Sequence, residues 1–247
     1  MNIFLDDRKC RELLFPFTHT RHVADIRVGI LTIKEKWELL TGKRIFTSHE
    51  DLVGDELHIH ADLIPTLKNF EVILRAANDR ISMFDNDEIR LLHHPWNIFQ
   101  YNDWASRHDF DLLTENRKSF PIPESNRFSN EAQIFIEEGA VVEHSILNAS
   151  TGPIYIGKNA MIMEGSLIRG PFSLGEQSVV KMGSKIYGAT SVGPYCVAGG
   201  EIKNSVFFEF SNKAHDGYLG DSVIGAWCNL GAGTTNSNVK NTGGSVK

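Results

Sequence analysis

The residue best suited to proton transfer in this sequence is His215, which lies in a polar segment near the end of the chain. The surrounding residues 211–221 read Ser-Asn-Lys-Ala-His-Asp-Gly-Tyr-Leu-Gly-Asp. An imidazole has an ordinary pKa of about 6.5, so it can accept a proton at neutral pH and serve as a base. The alternative is a surface histidine without a chemical role, because histidine is often exposed.

Residues suited to binding phosphate and a metal ion occur in the first quarter of the chain. The candidates for nucleotide phosphate are Arg8, Arg11 and Arg21. Asp62 follows a predicted strand, and Mg²⁺ prefers carboxylate oxygens. His58 and His60 would share a strand face with Asp62, which is a weak metal pattern by ligand type. Exposed charges without a specific role are the alternative for each of these residues.

A period of six residues dominates the second half of the sequence and sets the elements that must carry His215. An aliphatic or small residue recurs at Ile156, Ile162, Ile168, Leu174, Val180, Ile186, Val192 and Ala198. Six is not a helical period, and the many glycines and β-branched residues disfavour a helix. The pattern predicts coils of three short strands that stack, because one coil cannot bury its own aliphatic face.

The predicted coils extend on both sides of this series. An earlier coil is expected at Ile134, Ile136 and Val142, with a break in register over 148–153. After Ala198 the series resumes at Tyr218, Ile224 and Leu230. The interval from Ala198 to Tyr218 is slightly longer than three hexads. This excess predicts a bulge around His215, and bulges often lie beside functional sites.

The first half has a different pattern, which predicts an α/β unit. Strands are expected over 2–5 and 57–61, a helix over 26–40 that ends at Gly42, and a helical connector over 97–113. We therefore divide the chain into an α/β unit with its connector (1–115), a linker (116–130) and a β-helix (131–247).

Composition narrows the class of protein. The net charge of −6 and the sequence pI near 5.9 argue against nucleic acid as a partner, because phosphate binding needs a basic surface. The sequence contains no apolar run long enough to predict a membrane span. The three cysteines are far apart and show no metal spacing. These features predict a reduced cytoplasmic protein.

Three motifs together resemble the acetyltransferase domain of the bifunctional N-acetylglucosamine-1-phosphate uridylyltransferases. They are Lys-Ala-His-Asp-Gly-Tyr-Leu-Gly-Asp at 213–221, Ile-Gly at 224–225 and Asn-Leu-Gly-Ala-Gly-Thr at 229–234. The resemblance spans about residues 134–241. It implies a left-handed parallel β-helix that forms a homotrimer, with active sites between subunits and acetyl-CoA as the acetyl donor.

The same resemblance implies roles for individual residues. His215 would be the general base, and Tyr218 and Asn229 would contact the substrate. Lys203, with Glu201, would bind the sugar phosphate, and Asn238 and Ala232 would contact acetyl-CoA. Purely structural roles are also open for several of these residues. Tyr218 could be a bulky inward residue, the asparagines could occupy left-handed corners, and Lys203 and Glu201 could be solvated surface charges.

The first half resembles the sugar-phosphate nucleotidyltransferase domain of a divergent branch of these enzymes, including thymidylyltransferases. The likeness rests on residues 11–18, 20–21, 23–29 and 94–96. It implies a sugar phosphate and a nucleoside triphosphate as substrates, with Mg²⁺ assisting nucleotidyl transfer.

The sequence departs from these families at several points. The loop 6–11 has no glycine, although such transferases use a glycine-rich loop so that backbone N–H groups can approach the phosphates. The unit 1–115 is shorter than a complete nucleotidyltransferase domain. Val197 lies where the family supplies an arginine for the sugar phosphate. The sequence ends at Lys247, before the further coils that complete the family's acetyl-CoA site.

Three functions remain open at this point. The first is a sugar-nucleotide biosynthesis enzyme that transfers both acetyl and nucleotidyl groups. The second is a nucleotidyltransferase only, with a β-helix that serves assembly. The third is a non-catalytic trimeric scaffold, which the absent glycine loop favours.

Overall fold

The computed structural model describes residues 2–48, 54–79 and 85–236. Asn238, which was expected to contact acetyl-CoA, lies outside these ranges. The helices are α1 (Ile33–Thr41), α2 (Phe70–Asn78), α3 (Asn97–Gln100) and α4 (Asn102–Thr114). Short 3-10 turns occur at Glu12–Leu14, Val23–Asp25 and Glu131–Gln133. Within the described ranges, none of the helices has the length and apolar character needed to cross a membrane.

A small parallel sheet forms the centre of the first half. Its strands are β1 (Asn2–Asp6), β2 (Ile45–Phe46) and β3 (Glu56–His60), and a separate antiparallel pair consists of β4 (Leu63–Ile64) and β5 (Arg90–Leu91). β1 lies between β2 and β3. Its consecutive residues Ile3, Phe4 and Leu5 are all buried, as expected for a strand covered on both faces. The two predicted strands are confirmed.

The helix predicted over 26–40 starts later than its apolar spacing indicated. α1 begins after Thr32, which exchanges side-chain hydrogen bonds with Glu35 in a capping box. Upstream, Gly29 has a φ of +82°, a left-handed conformation that does not continue into a right-handed helix. The predicted end is confirmed, because Gly42 closes α1 with a φ of 65°.

The second half is a parallel β-solenoid of about five turns. Its strands are β6 (Arg127–Ser129), β7 (Ile134–Ile136), β8 (Val141–Val142), β9 (Ile146–Asn148), β10 (Ile154–Ile156), β11 (Met161–Ile162), β12 (Leu167–Arg169), β13 (Phe172–Leu174), β14 (Val179–Val180), β15 (Lys185–Ile186), β16 (Thr190–Val192), β17 (Val197–Ala198), β18 (Glu201–Phe207), β19 (Asn212–Lys213) and β20 (Tyr218–Ile224). β6 falls within the segment 116–130, so the solenoid takes up the chain before residue 131.

The solenoid strands form three faces. The first face contains β7, β10, β13 and β16, the second contains β8, β11, β14, β17 and β19, and the third contains β6, β9, β12 and β15. β18 pairs with β15 at its start and with β16 at its end, so it runs across the corner from the third face to the first. β20 pairs along β18 and does the same.

The hexad positions from Ile156 to Ala198, predicted to face inward, do so. All eight residues from Ile156 to Ala198 belong to one buried core, together with the earlier coil at Ile134, Ile136 and Val142. Successive coils in this region repeat at an interval of three hexads, as in the pairing of Leu174 with Val192. Aliphatic burial therefore stabilises the stack coil by coil.

The predicted bulge between Ala198 and Tyr218 is wrong, because the coils become shorter there. Ala198 pairs with Lys213, so this coil takes fewer residues than three hexads. The coil needs fewer residues because β18 passes the corner as one continuous strand. In the next coil Leu219 is buried at 3% exposure and occupies the inward position that was assigned to Tyr218.

The first half packs directly on the solenoid through its helices and a shared core. Val206 and Phe208 of the solenoid belong to the apolar cluster of the first half. Asn102 at the start of α4 donates from Nδ2 to the carbonyl of Ala189 at 2.7 Å. Its Oδ1 accepts from the hydroxyl of Ser191 at 3.1 Å. This buried polar network fixes α4 against the coil that contains β16.

Candidate functional site

His215 is exposed at a corner of the solenoid between the second and third faces. Residues 214–217, between β19 and β20, form this His215 corner. Gly199 and Gly200 of the preceding coil lie against it. A Cβ atom at Gly199 would overlap the carbonyl oxygen of Ala214, and one at Gly200 would come within 2.9 Å of the carbonyl oxygen of His215. The absence of side chains at these two glycines lets the coils approach this closely.

The following coil contacts the other side of the His215 corner. The carbonyl of Asp216 accepts a hydrogen bond from the N–H of Gly233 at 3.2 Å. The N–H of Tyr218 donates to Oγ1 of Thr235, also at 3.2 Å. Ala232, expected to contact acetyl-CoA, is exposed in the same turn as Gly233. The structure therefore brings Ala232 next to the corner.

Lys213 lies inside the solenoid directly before the corner. It is 1% exposed, and its Nζ donates to the carbonyls of Gly199 and His215, each at 2.9 Å. Burial lowers the pKa of Lys213, and the nearby Asp216 opposes that shift. This role was not predicted, because the excess length between Ala198 and Tyr218 was assigned to a bulge. The signal was a lysine at the inward position after Ala198.

Three of the predicted substrate residues share the outer surface of the third face. Glu201 on β18 pairs with Tyr218 on β20, and Lys203 pairs with Gly220. The Tyr218 ring lies over Gly220, because a Cβ atom at Gly220 would overlap its hydroxyl. Tyr218 therefore lies on β20, next to the strand that carries Lys203, and directly follows the His215 corner in the chain. Its partial exposure fits a surface residue rather than an inward one.

Asn229 lies beside the second face, on the opposite side of the His215 corner from Lys203. Its Oδ1 accepts a hydrogen bond from Nδ2 of Asn212 at 2.9 Å. This contact leaves the amide nitrogen of Asn229 as the group available to a ligand oxygen. Val197, at the position where the resemblance implies an arginine, pairs with Asn212 on the neighbouring strand. Exposed cations on the third face include Lys203 and Lys185, the residue that pairs with Glu201.

Each of the three arginines predicted to bind phosphate already has an acidic partner. The ion pairs are Arg8 with Asp6 at 2.6 Å, Arg11 with Asp7 at 2.9 Å and Arg21 with Glu209 at 2.9 Å. The side-chain hydrogen bond from Arg8 lowers the pKa of Asp6 to about 2. These arginines lie after β1 or in the following turns. A phosphate that bound one of these arginines would have to compete with the carboxylate already paired with that arginine.

Asp62 is buried at the carboxyl-terminal end of the small sheet, at 4% exposure. Its Oδ1 has no hydrogen-bond partner among the described residues, and burial raises its pKa. His58 instead contacts Glu56 at 3.0 Å and the ring of Phe4. In the described ranges, no group of three or more histidine, cysteine or acidic side chains is arranged to hold a metal ion. Asp62 alone does not make a metal site.

The loop that follows β1 is closed by its own backbone. The carbonyl of Asp7 accepts from the N–H groups of Cys10 and Arg11, at 3.0 and 2.8 Å. The Asp7 carboxylate accepts from the N–H of Val23 at 3.3 Å. The loop thus contains a carboxylate that is bonded to the N–H of Val23 and to Arg11. It differs from the glycine-rich phosphate loop of nucleotidyltransferases.

Comparison with known proteins finds a similarity within the first half. A family model described as sugar nucleotidyl transferase matches residues 2–61. The matched segment contains β1, the loop after it, α1 and β3, but covers less than half of the chain. No curated protein matches the sequence at a significant level. The segment 2–61 is therefore similar to sugar nucleotidyltransferases, and the solenoid must be interpreted from its own residues.

Proposed function

We propose that this protein is a transferase of sugar-nucleotide biosynthesis, in which the solenoid transfers an acetyl group and the first half serves nucleotidyl transfer. The match of residues 2–61 to sugar nucleotidyltransferases supports the pathway. The His215 corner carries the acetyl-transfer part. There an exposed histidine is held between two coils, beside Lys203, Tyr218 and Ala232.

The acetyl acceptor would be an amino sugar phosphate of the glucosamine-1-phosphate type, and the donor would be acetyl-CoA. The lone pair of the amine attacks the thioester carbonyl carbon, and the C–S bond then breaks to release the thiolate. His215 takes the proton that the nitrogen loses, and the imidazolium returns this proton to the thiolate as it leaves. Lys203 would hold the sugar phosphate as a point charge.

The nucleotidyl-transfer part would lie at the carboxyl-terminal end of β1 and β3, where parallel sheets place their ligands. The sugar phosphate would attack the α-phosphate of a nucleoside triphosphate and release pyrophosphate. The ion-paired arginines and the closed loop after β1 favour a second candidate, in which this half no longer turns over nucleotide. A left-handed coil, a homotrimer and a cytoplasmic location belong to the same proposal.

The test is the rate of acetyl transfer from acetyl-CoA to glucosamine-1-phosphate. His215→Ala should lower this rate by about 10²–10⁴-fold, the range typical of losing a general base. His144→Ala is a matched control, because His144 is also exposed on the solenoid but lies in an early coil. Equal rates for wild type and His215→Ala would refute the catalytic role. Pyrophosphate release from a nucleoside triphosphate then separates a nucleotidyltransferase from a scaffold.

A further inference from the structure

Lys213 occupies a place in the solenoid that earlier coils fill with apolar residues. The equivalent inward residues on the second face are Val142, Ile162, Val180 and Ala198. All four are buried in the solenoid core. An aliphatic residue would fill the position at less cost, because a buried ammonium loses its hydration. Packing alone therefore does not account for a lysine here.

The ammonium of Lys213 joins two successive coils at the His215 corner. It donates one hydrogen bond to the carbonyl of Gly199 and one to the carbonyl of His215, each at 2.9 Å. The small side chain of Ala198 lies next to Lys213 on the neighbouring strand. Charge-assisted hydrogen bonds of this kind are stronger than neutral ones. The backbone that carries the imidazole is thereby tied to the coil beneath it.

We propose that Lys213 is a positioning residue for His215. Its ammonium bridges the backbone carbonyl of His215 and the backbone carbonyl of Gly199 in the preceding coil. The proposal rests on the proposed acetyl transfer, in which His215 is the base. Lys213 does not touch the substrate. It limits the positions that the imidazole can reach, and a displacement of about 1 Å at a catalytic group can lower a rate by about 10²-fold.

The first test compares Lys213→Met with Lys158→Met, a change at an exposed solenoid lysine in an earlier coil. Lys213→Met should lower kcat by about 10²-fold while KM changes less than about threefold, because the binding groups on the third face remain. The double variant Lys213→Met/His215→Ala should be no slower than His215→Ala alone, since Lys213 acts through the histidine. Independent, multiplying effects of the two substitutions would overturn the proposal.

Hydrogen exchange supplies a readout that does not depend on activity. The amides of Glu201 and Gly233 donate to the corner carbonyls of Gly217 and Asp216, each at 3.2 Å. In Lys213→Met these two amides should exchange at least tenfold faster, while those of β16 keep their wild-type rates. Unchanged exchange at Glu201 and Gly233 would overturn the proposal. If Lys213→Met loses the solenoid, Lys213→Gln, which keeps a donor, is measured in the same way and should show a smaller effect. Absence of acetyl transfer in the wild-type chain would refute the proposed function, and exchange would still decide whether Lys213 holds the corner.

Discussion

Arg21, in the first half of the chain, donates a hydrogen bond from Nη2 to Oε1 of Glu209 in the solenoid at 2.9 Å. The guanidinium also lies over the ring of Phe208, 4.9 Å from its centroid. The pair is partly buried, with side-chain exposures of 16% and 27%. Arg21 therefore ties the first half to the solenoid, and this role is distinct from the phosphate binding expected from the sequence.

The Arg21–Glu209 pair should make stability depend on pH. Burial tends to raise the pKa of Glu209, but the hydrogen bond and charge of Arg21 oppose it, and the net pKa is lowered from its ordinary value of 4.5. A lowered carboxyl pKa contributes stability above pH 4.5, and this contribution is lost as pH falls through the folded-state value. Glu209→Gln should cost about 1–2 kcal/mol at pH 7, measured by urea unfolding. The difference from wild type should shrink below pH 4.5. A difference that is as large at pH 3 as at pH 7 would contradict this account.

A buried ion pair between α1 and α4 should be strongly coupled. Lys36 and Asp109 are both buried and bond to each other, and Oδ2 of Asp109 also accepts from the N–H of Ile30 at 2.8 Å. Burial lowers the pKa of Lys36 and raises that of Asp109, although each partner opposes the shift of the other. Lys36→Met should destabilise the fold by about 3–5 kcal/mol, because it leaves a buried carboxylate unpaired.

The double variant Lys36→Met/Asp109→Asn should recover part of that loss. An asparagine has no charge to leave unpaired and keeps an oxygen for the N–H of Ile30. Urea unfolding of the two single variants and the double variant gives the coupling energy directly. Strictly additive losses would show that the two side chains do not depend on each other.

Gly220 should control the placement of Tyr218. A Cβ atom at this position would overlap the tyrosine hydroxyl, which is the end of a movable side chain. Gly220→Ala should therefore displace the ring and leave the fold intact. We expect a higher KM for the amino sugar phosphate, similar to that of Tyr218→Ala, with melting temperature within a few degrees of wild type. In the Tyr218→Ala background, Gly220→Ala should add nothing to KM. A further increase there would show that the glycine acts by another route.

Gly199 should be far less tolerant, because its neighbour is backbone. A methyl group there meets the carbonyl oxygen of Ala214, which cannot rotate away. Gly199→Ala should therefore destabilise the solenoid by about 1–3 kcal/mol, as overpacked sites do, and lower acetyl transfer as well. Gly225→Ala is the control, since its nearest heavy atom would be at an ordinary 3.7 Å. Equal melting temperatures for the two variants would contradict the close approach of the coils.

The sequence was sufficient where the fold depends on local pattern. The eight inward residues from Ile156 to Ala198 follow one period, and each lies in the core. The shortened coils after Ala198 could not be predicted in this way. They arise because β18 stays extended through a corner, and that depends on its pairing with strands from three different coils. The misplaced Tyr218 and the unrecognised Lys213 follow from this single difference.

The placement of the candidate residues was only partly predictable. His215, Tyr218 and Ala232 belong to the quoted motifs and lie at or next to one corner, whereas Lys203 lies outside those motifs on the neighbouring strand β18. Their roles stay predictions. Arg21 was misread because its partner Glu209 lies in the other half of the chain, and no local signal joins the two. Long-range ion pairs of this kind are set by how the two halves pack.

The central claim is tested most directly by product analysis of the wild-type chain with glucosamine-1-phosphate, acetyl-CoA and UTP. Mass spectrometry would follow the acetylated sugar phosphate, while free thiol and pyrophosphate are measured in the same mixture. We predict release of thiol in step with acetylated sugar phosphate, and none when the amino sugar phosphate is left out. A mixture in which thiol and pyrophosphate both stay at background would contradict the account and leave the solenoid as a scaffold.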